Sequence, residues 1–353
     1  MKRLAVFLVI PLMVLAVAAA AWARPFPATD VRALGMGGAF VAAGDGIGAV
    51  QYNPALLGEN TTVAVSVPNI VLRLEDHIGL EDLLNDLENL GPTDPAAQDI
   101  LLRLEQEGGS VDVQGSVSAG AGFSAFGIGA GVSYGSLIFG TAFPSITSTT
   151  LPTLAGSLEY RAVEARQIIL TGAKSFGNIV VGANLRQIDA TVYSGSEDIF
   201  TDPGIGIGDV TSGTESDETA TAIDVGVLFG LMPMVDVGIV ARDVNGPSLG
   251  DIDFDPMYRI GAAVRLPMVT IAADLDISEN SLEDATEYQE WALGAEFDVW
   301  AIALRAGLSN NSGLGGSPTL IHAGVGLGFL DIGAAFAQEG DYYMAGLNLN
   351  LGF

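Results

Sequence analysis

The feature that most constrains this chain is a two-residue period in its apolar residues. In the last segment, residues 343–353, every odd-numbered position is apolar or aromatic, and the even-numbered positions hold Met, Gly or Asn. Successive side chains of a β-strand point to opposite faces, so this segment predicts a strand with one apolar face and one small or polar face. The pattern recurs along the chain, which predicts an all-β fold.

The connectors between these segments alternate in length, which predicts a transmembrane β-barrel. The links after segments two, four, six, eight, ten and twelve are only a few residues long, and the others are longer except Glu339-Gly340-Asp341. Outer-membrane barrels show this alternation because short turns face the periplasm and long loops face outward. A soluble sandwich, the alternative, has no reason to sort its connectors in this way. We expect fourteen antiparallel strands near residues 61–74, 111–125, 127–140, 157–174, 177–194, 219–231, 234–243, 257–266, 268–277, 288–298, 301–308, 317–329, 331–338 and 343–353.

Charged residues within these strands share the face opposite the apolar one. A charge that faces lipid at the membrane midplane costs about 2–4 kcal/mol, so these residues are expected to face the lumen. Their mixed signs predict ion pairs inside the barrel rather than a ring of one charge. The set comprises Asp224, Asp236, Arg242, Arg259, Arg265, Asp274, Asp276, Glu290, Glu296, Asp298, Arg305 and His322.

The sequence contains no motif that predicts catalysis, a cofactor or a metal site. It has no cysteine and only two histidines, so disulfides and thiolate sites are excluded, and no histidine pair has zinc spacing. Neither histidine lies beside a nucleophile motif. We expect His322 to pair with a carboxylate such as Glu296 or Asp298, and we expect a protein that is not an enzyme.

The N-terminus predicts export from the cytoplasm. Lys2 and Arg3 precede an apolar run over residues 4–20, and Ala21-Trp22-Ala23 follows as a small-residue cleavage site. This arrangement is typical of a secretory signal peptide, here residues 1–23. An uncleaved membrane anchor is the alternative, because the run is almost long enough to span a bilayer. With the barrel pattern, cleavage would deliver the chain to the outer membrane of a Gram-negative-type bacterium.

The net charge of −28 restricts the partners of the chain. Acidic residues cluster in connectors at 75–86, 197–218, 251–255 and 279–287. Nucleic-acid binding needs a basic surface, so it is excluded. These connectors are expected to be solvated loops among outer-membrane lipid and lipopolysaccharide. Divalent cations held between the loops and lipopolysaccharide are an alternative, although no segment has EF-hand spacing.

The first long connector, residues 76–109, differs from the others in its periodicity. Leucine and isoleucine recur at helical spacing on both sides of Gly91-Pro92. This pattern predicts two short amphipathic helices in the first extracellular loop. They would either pack over the barrel mouth as a lid or offer an apolar groove to a hydrophobic ligand, and the sequence leaves both open.

Residues 24–60 form an apolar segment that precedes the barrel of residues 61–353. It is too apolar for a solvated tail and too small to fold alone, so it is expected to lie inside the barrel as a plug. Gly35, Gly37 and Gly38 do not form a dinucleotide loop, because no βαβ unit surrounds them. They are expected to allow close backbone packing. Asn53-Pro54 is typical of a turn.

Two motifs in this segment resemble the N-terminal hatch of FadL-type outer-membrane proteins, which carry fatty acids and other hydrophobic compounds. They are the RALGMGGAF run at 32–40 and the YNPALLG run at 52–58, in which Asn53, Pro54 and Ala55 match the Asn-Pro-Ala motif of that hatch. The resemblance implies a fourteen-stranded barrel with a plug. The helical insertion is similar to that of a subgroup described as conjugal-transfer TraF-like. The chain is shorter than is usual for the transporters.

Two functions stay open at this point. The resemblance implies passive passage of small hydrophobic molecules, fatty-acid-like in character, through the plugged lumen. The alternative is a structural or accessory outer-membrane component of a conjugal-transfer or secretion apparatus, with protein partners and no substrate of its own. A porin for polar solutes is disfavoured by the apolar plug. The sequence does not specify the ligand, the partners, the oligomeric state or the gating trigger.

Overall fold

The computed structural model is a closed barrel of fourteen antiparallel strands, so the predicted fold class is confirmed. Each strand pairs with its neighbours in the chain, and the last strand pairs with the first to close the cylinder. The structure describes residues 29–59, 62–76, 80–88, 90–107, 111–200, 214–250, 252–278, 280–282, 286–312, 319–337 and 341–352. The predicted signal peptide and His77 lie outside these residues.

The barrel strands lie close to the predicted segments, and three of them, β3, β5 and β6, extend well beyond the prediction at one end. Their bounds are β1 Thr62–Asp76, β2 Val111–Ala125, β3 Ile128–Ser148, β4 Ala155–Phe176, β5 Ile179–Asp198, β6 Thr214–Met232, β7 Val235–Arg242, β8 Met257–Arg265, β9 Val269–Asp276, β10 Glu290–Val299, β11 Ile302–Asn311, β12 Leu320–Leu327, β13 Leu330–Ala337 and β14 Asp341–Gly352.

The barrel is much taller on one side than on the other. Strands β3 to β6 contain 21, 22, 20 and 19 residues, whereas β7, β9, β12 and β13 contain 8 each. The extra length lies at the end that carries the long connectors. Two short ribbons occur in those connectors: Ser248–Leu249 pairs with Ile252–Asp253, and Asn280–Leu282 pairs with Thr286–Tyr288.

The two faces of each strand differ as the alternation requires. On β10, Leu293 and Phe297 are 48% and 42% exposed on the outer face, whereas Ala292 and Glu296 are 3% and 2% exposed on the inner face. Apolar residues therefore cover the outside of the cylinder. No helix within the described ranges is long and apolar enough to cross a membrane.

Residues 29–59 precede β1 and lie within the cylinder; we call this segment the plug. Helix α1 spans Val31–Gly35 and is capped by Asp30, whose carboxylate accepts hydrogen bonds from the backbone nitrogens of Arg32 and Ala33. Two 3-10 helices follow at Gly48–Gln51 and Pro54–Gly58. Most plug side chains are buried and pack into one apolar cluster with inner-face residues of the barrel. Burial of this cluster provides the main hydrophobic stabilisation of the plug.

Two helices occupy the first long connector, at the ends of which residues 77–79 and 108–110 are outside the described ranges. Helix α2 spans Leu80–Glu88 and α3 spans Pro95–Glu107. Their leucines form a cluster with Leu158 and Tyr160 from the tall part of β4. Because these apolar faces are buried, the arrangement is that of a packed lid and leaves no open groove along the two helices.

Candidate functional site

The plug backbone lies directly against glycines of the inner wall. A Cβ atom added to Gly307 would lie 2.4 Å from the Gly37 nitrogen, and one added to Gly182 would lie 2.4 Å from the Ala55 nitrogen. Non-bonded atoms do not approach this closely, so these positions accept only glycine. The wall glycines at which an added Cβ would lie within 2.5 Å of a plug atom form the glycine belt; they are Gly129, Gly182, Gly226, Gly238, Gly294 and Gly307.

The side chain of Asn53 is fully buried and forms hydrogen bonds to two segments of the plug and to the barrel wall. Its side-chain nitrogen donates to the Val41 carbonyl at 2.9 Å and to the Val227 carbonyl of β6 at 3.3 Å. Its side-chain oxygen accepts from the Ala55 nitrogen at 3.0 Å and so caps the 3-10 helix Pro54–Gly58. The asparagine therefore joins two plug segments to the wall, while proline at the first helical position has no amide hydrogen to leave unpaired.

The middle of the plug is held by side chains of β8 and β9. Oδ2 of Asp274 accepts hydrogen bonds from the backbone nitrogens of Phe40 and Val41 at 2.7 and 2.9 Å. Arg265 donates from Nη2 to the Ala42 carbonyl at 2.9 Å. These contacts satisfy backbone groups that have no partner within the plug itself, which is required where they are buried.

Arg265 also links the end of the plug to the wall. It forms an ion pair with Asp236 of β7, and its Nη2 atom lies 3.5 Å from an oxygen of Glu59. Glu59 is the last described residue of the plug, and burial raises the pKa of its carboxyl against the opposing effect of Arg265.

A chain of ion pairs connects the start of the plug to β10, β11 and β13. Arg32 donates from Nε and Nη2 to Glu296 at 2.8 and 2.6 Å, and its Nη1 atom lies 2.5 Å from Asp45. Glu296 accepts a further bond from Nε of Arg305 at 2.6 Å, and Arg305 reaches Asp331 at 2.5 Å. Each charged side chain in this series of ion pairs therefore has a partner of opposite charge, which offsets the free-energy cost of its burial.

A second group of charges lies on the inner wall towards the long loops. Nε and Nη2 of Arg259 donate to Asp276 at 2.5 and 3.0 Å, and Nη2 also reaches Glu290 at 3.0 Å. Arg73 of β1 approaches the other oxygen of Glu290 at 3.4 Å. The group joins β1 to β8, β9 and β10 across the lumen.

A third group lies on β5, β6 and the residue after β7. Arg186 donates to both oxygens of Asp224 at 3.0 and 3.1 Å and forms an ion pair with Asp243. Asn184 donates to Asp224 at 3.2 Å and to the Val50 carbonyl of the plug at 2.9 Å. This group fixes the plug to the tall side of the barrel.

His322 does not pair with a carboxylate, and the prediction of Glu296 or Asp298 as its partner is wrong. Its Nδ1 atom lies 2.8 Å from the Leu34 carbonyl of the plug, and its Nε2 atom lies 2.9 Å from Oγ of Ser309. A carbonyl accepts only, so Nδ1 carries the hydrogen and Nε2 accepts from the serine. His322 therefore holds helix α1 through a neutral pair of hydrogen bonds.

The structure places the charges predicted for the lumen on the inner face of the barrel, and all but one are buried or half-buried. Asp298 is the exception: it has the inner register of β10 but lies exposed beside the short turn. Arg242 is 3% exposed at the end of β7. The plug glycines Gly35, Gly37 and Gly38 lie against β10 to β12, and Asn53, Pro54 and Ala55 lie against β5 and β6.

Sequence reasoning missed several of the polar residues that hold the plug. Arg73 and Asp331 could have been found, because each alternates with apolar neighbours on its strand, whereas Arg186 is followed by Gln187. The plug residues Arg32, Asp45 and Glu59 gave no such signal, since the wall partners of Arg32 and Glu59 are more than two hundred positions away in the chain.

A pocket lies between the plug and the inner wall on the side of the long loops. Its empty space is about 400 Å³ and includes its open mouth. The plug contributes Leu34, Gly38 and Tyr52 to the lining of the pocket. The wall contributes several polar or charged side chains and two apolar ones. The wall residues are Arg73, Arg259, Glu290, Ser309, His322, Leu320 and Met344.

Two plug side chains near this pocket have pKa values above their usual range. Burial, together with nearby Asp30, raises the pKa of Tyr52 to about 12, against the weaker opposite effect of the Thr29 amide that donates to its oxygen. Burial likewise raises the pKa of Asp30, although amides of α1 donate to its carboxylate. Burial therefore disfavours the ionised form of both groups relative to water. The part of the chain that the structure describes contains no cluster of three potential metal ligands.

The barrel is similar in fold to solved hydrocarbon channels. The CymD monoaromatic hydrocarbon channel gives a TM-score of 0.57 at 15% identity, over 94% of this chain and 98% of the channel. A deltaS2S3 mutant of the TodX monoaromatic hydrocarbon channel gives 0.54 at 12% identity, over 92% and 97%. The P. putida toluene transporter TodX gives 0.50 at 12% identity, over 92% and 96%.

At these identities the likeness establishes a shared barrel fold. No protein-family model matches the chain, and no curated protein sequence matches it significantly. The fold agrees with the FadL-type barrel implied by residues 32–58. These likenesses do not bear on the TraF-like subgroup, which stays a prediction.

Proposed function

We propose that the chain is an outer-membrane channel through which small hydrophobic molecules, aromatic or fatty-acid-like, pass without energy input. The observation that carries the proposal is the plug, which fills a closed cylinder but is attached to its wall by hydrogen bonds, ion pairs and close packing against the glycine belt. Such contacts can break and re-form. The shared fold with channels named for hydrocarbons and toluene supports a hydrophobic cargo.

The inner wall above the plug has an apolar side that suits this cargo. Val163, Ile188 and Ala222 of β4, β5 and β6 belong to a buried apolar cluster that also includes Leu249 and Phe254 of the loop after β7. The strands that carry this cluster also contact the 3-10 helix Pro54–Gly58 further down. A hydrophobic molecule would therefore follow this side of the lumen to the Asn53 turn.

The opposite side of the lumen carries the ion pairs of Arg73, Arg259 and Glu290. Passage there would strip water from charges that a hydrophobic cargo cannot solvate. We therefore expect the gate to open within residues 46–58, around the Asn53 turn, while the Arg32–Glu296 ion pair and packing against β12 and β13 keep helix α1 in place. This divides the plug into a moving part and an anchored part.

A reversible cross-link between plug and wall tests whether the plug must move. The chain has no cysteine, so introduced thiols have no competing partners. A Cβ at Gly46 of the plug would lie 3.8 Å from the Ala64 Cβ of β1, inside the range of about 3.5–4.5 Å that disulfides require. We expect Gly46→Cys with Ala64→Cys to stop toluene uptake by expressing cells when oxidised and to regain it after reduction.

The single variants Gly46→Cys and Ala64→Cys are the matched controls, and each should take up toluene in both conditions. They also report any effect of the left-handed backbone at Gly46, which disfavours other residues. Uptake by a fully cross-linked barrel would exclude plug movement near β1. A folded chain that takes up neither toluene nor a long-chain fatty acid in any form would contradict the proposed cargo.

A structural role in a transfer or secretion apparatus is the second candidate. One observation favours it: the apolar faces of α2 and α3 are buried against β4, so these helices offer no open surface for ligand capture. Purification in mild detergent discriminates the two candidates. Small hydrophobic molecules retained by the barrel support transport, whereas an empty lumen with a stable protein complex supports the accessory role.

A further inference from the structure

The six short turns at the plug end of the barrel all carry large exposed apolar residues at or beside their tips. Phe126 and Trp300 are 96% and 103% exposed, and the corresponding residues of the other turns are each at least 47% exposed. We call these residues the apolar rim; they are Phe126, Phe176, Met232, Leu266, Trp300 and Phe329. Turns in water favour Gly, Asn, Asp and Ser. The Gly177-Asn178 turn follows this preference, but the other five turns carry a large apolar residue at the tip, which requires a cause.

The turns also lack charge. The stretches 125–128, 175–179, 231–235, 266–269, 299–302 and 327–330 contain no acidic or basic residue, and their only polar side chains are Ser175 and Asn178. The long connectors at the other end are strongly acidic. The two ends of the barrel are therefore built for different surroundings.

The height of the barrel places the rim at the edge of the membrane. Trp291 and Trp300 lie nine positions apart on β10 and in the turn that follows it. At about 3.3 Å per residue and a tilt of about 40°, nine positions correspond to about 23 Å along the membrane normal. The apolar band of outer-membrane barrels is about 25 Å tall, so one tryptophan at each boundary matches it.

The shortest strands require the same placement. Strands β7, β9, β12 and β13 contain 8 residues each. A tilted strand of this length spans only about 20 Å along the membrane normal, less than the apolar band of about 25 Å. The uncharged turns can supply the missing height on this side of the barrel, whereas the connectors at the other end are acidic.

We propose that the apolar rim is a membrane-binding surface, immersed in the headgroup boundary of the inner leaflet, so that the short turns do not project into the periplasm. The continuity of the rim with the apolar outer face identifies the occupant as lipid. A periplasmic protein seated on the rim is the competing occupant. The proposal concerns the depth of the barrel and does not depend on what crosses it.

Tryptophan fluorescence tests the proposal directly, because the chain has only three tryptophans. With Trp22→Phe and Trp291→Phe, Trp300 is the single reporter of the rim. With Trp22→Phe and Trp300→Phe, Trp291 reports the opposite boundary and serves as the matched control. Both variants are folded into phosphatidylcholine vesicles whose acyl chains carry bromine near the headgroup, and iodide is supplied on both sides of the membrane.

We expect the brominated lipid to quench Trp300 about twofold or more and iodide to quench it little, because interfacial aromatic residues sit at headgroup level. Moving the reporter to Phe126→Trp, in a chain with all three native tryptophans changed to Phe, should give the same result at a second turn. Strong iodide quenching without bromine quenching at both turns, from barrels that resist unfolding in sodium dodecyl sulfate, would overturn the proposal and leave the rim as a water-exposed face for a protein.

Discussion

Arg32 of the plug and Glu296 of β10 form a two-point ion pair across the wall of the lumen, with donor–acceptor distances of 2.8 and 2.6 Å. The two residues are separated by 264 positions in the sequence. Glu296 is almost fully buried and also pairs with Arg305. The carboxylate therefore neutralises one charge from the plug and one from the barrel, and its removal would leave both guanidinium groups short of a partner.

We expect Glu296→Gln to lower the free energy of unfolding by about 3 kcal/mol, since breaking a buried ion pair leaves charge uncompensated. Asp298→Asn on the same strand is the matched control, because Asp298 is exposed and its change should have little effect. Urea unfolding from lipid vesicles, followed by tryptophan fluorescence, measures both. Equal midpoints for the two variants would show that the Arg32 pair does not stabilise the barrel.

Gly307→Ala should displace the plug. The added Cβ would lie 2.4 Å from the Gly37 nitrogen, and backbone on both sides leaves no flexible atom to move away. Overpacking of this kind costs about 1–3 kcal/mol. Gly172→Ala is the control, because an added Cβ there meets nothing within 4 Å. We expect only Gly307→Ala to raise single-channel conductance in planar bilayers and to expose the plug to protease.

Asn53→Ala should loosen the plug without unfolding the barrel. It would leave the Val41 carbonyl and the Ala55 nitrogen without their partner, at about 1–3 kcal/mol for each buried group. We expect faster proteolysis between residues 41 and 59 and altered toluene uptake. The strands should resist denaturation on gels as in the unmodified chain.

Asn178→Ala provides the comparison for Asn53, since Asn178 is exposed in a short turn and donates one bond to the Gly230 carbonyl. It should leave proteolysis and uptake unchanged. If both variants behave alike, the Asn53 contacts do not hold the plug.

The plug should be released at alkaline pH. Burial raises the pKa of Tyr52 from 10.0 to about 12. For an acid whose folded pKa is raised, the stabilisation is complete below the unfolded pKa and is lost as the pH rises through the folded value. The resistance of the plug to protease should therefore fall between pH 10 and about pH 12.

Tyr52→Phe should remove this part of the pH dependence, because phenylalanine has no ionisable hydroxyl. Tyr134→Phe, on the outer face of β3, is the control with the same loss of one tyrosine. Ultraviolet titration of phenolate formation gives an independent measure. A Tyr52→Phe profile that still falls between pH 10 and 12 by as much as the parent would assign the effect to another group.

The sequence was sufficient to predict the barrel because the patterns that specify it lie within short stretches of the chain. Alternation on β10 and β14, short links such as Leu266-Pro267-Met268 and the placement of charges such as Asp274 each depend on neighbours only a few positions away. The sequence did not fix the strand ends: β3 to β6 extend beyond their predicted bounds, where α2 and α3 pack against β3 and β4, and Leu249 and Phe254 pack against β5 and β6.

By itself the sequence determined the number of strands, their antiparallel order and, outside β4 and β5, the face that each presents to lipid, since a two-residue period and a charge penalty act within single strands. Only the tertiary structure decided which residues hold the plug. Arg32 meets Glu296, Asn53 meets Val227 and His322 meets Leu34 because closing the cylinder brings distant segments to one level. Hydrogen bonds and ion pairs form between residues that are close in space. Partners that are 174 to 288 positions apart in the sequence leave no local sequence pattern from which the contact could be predicted.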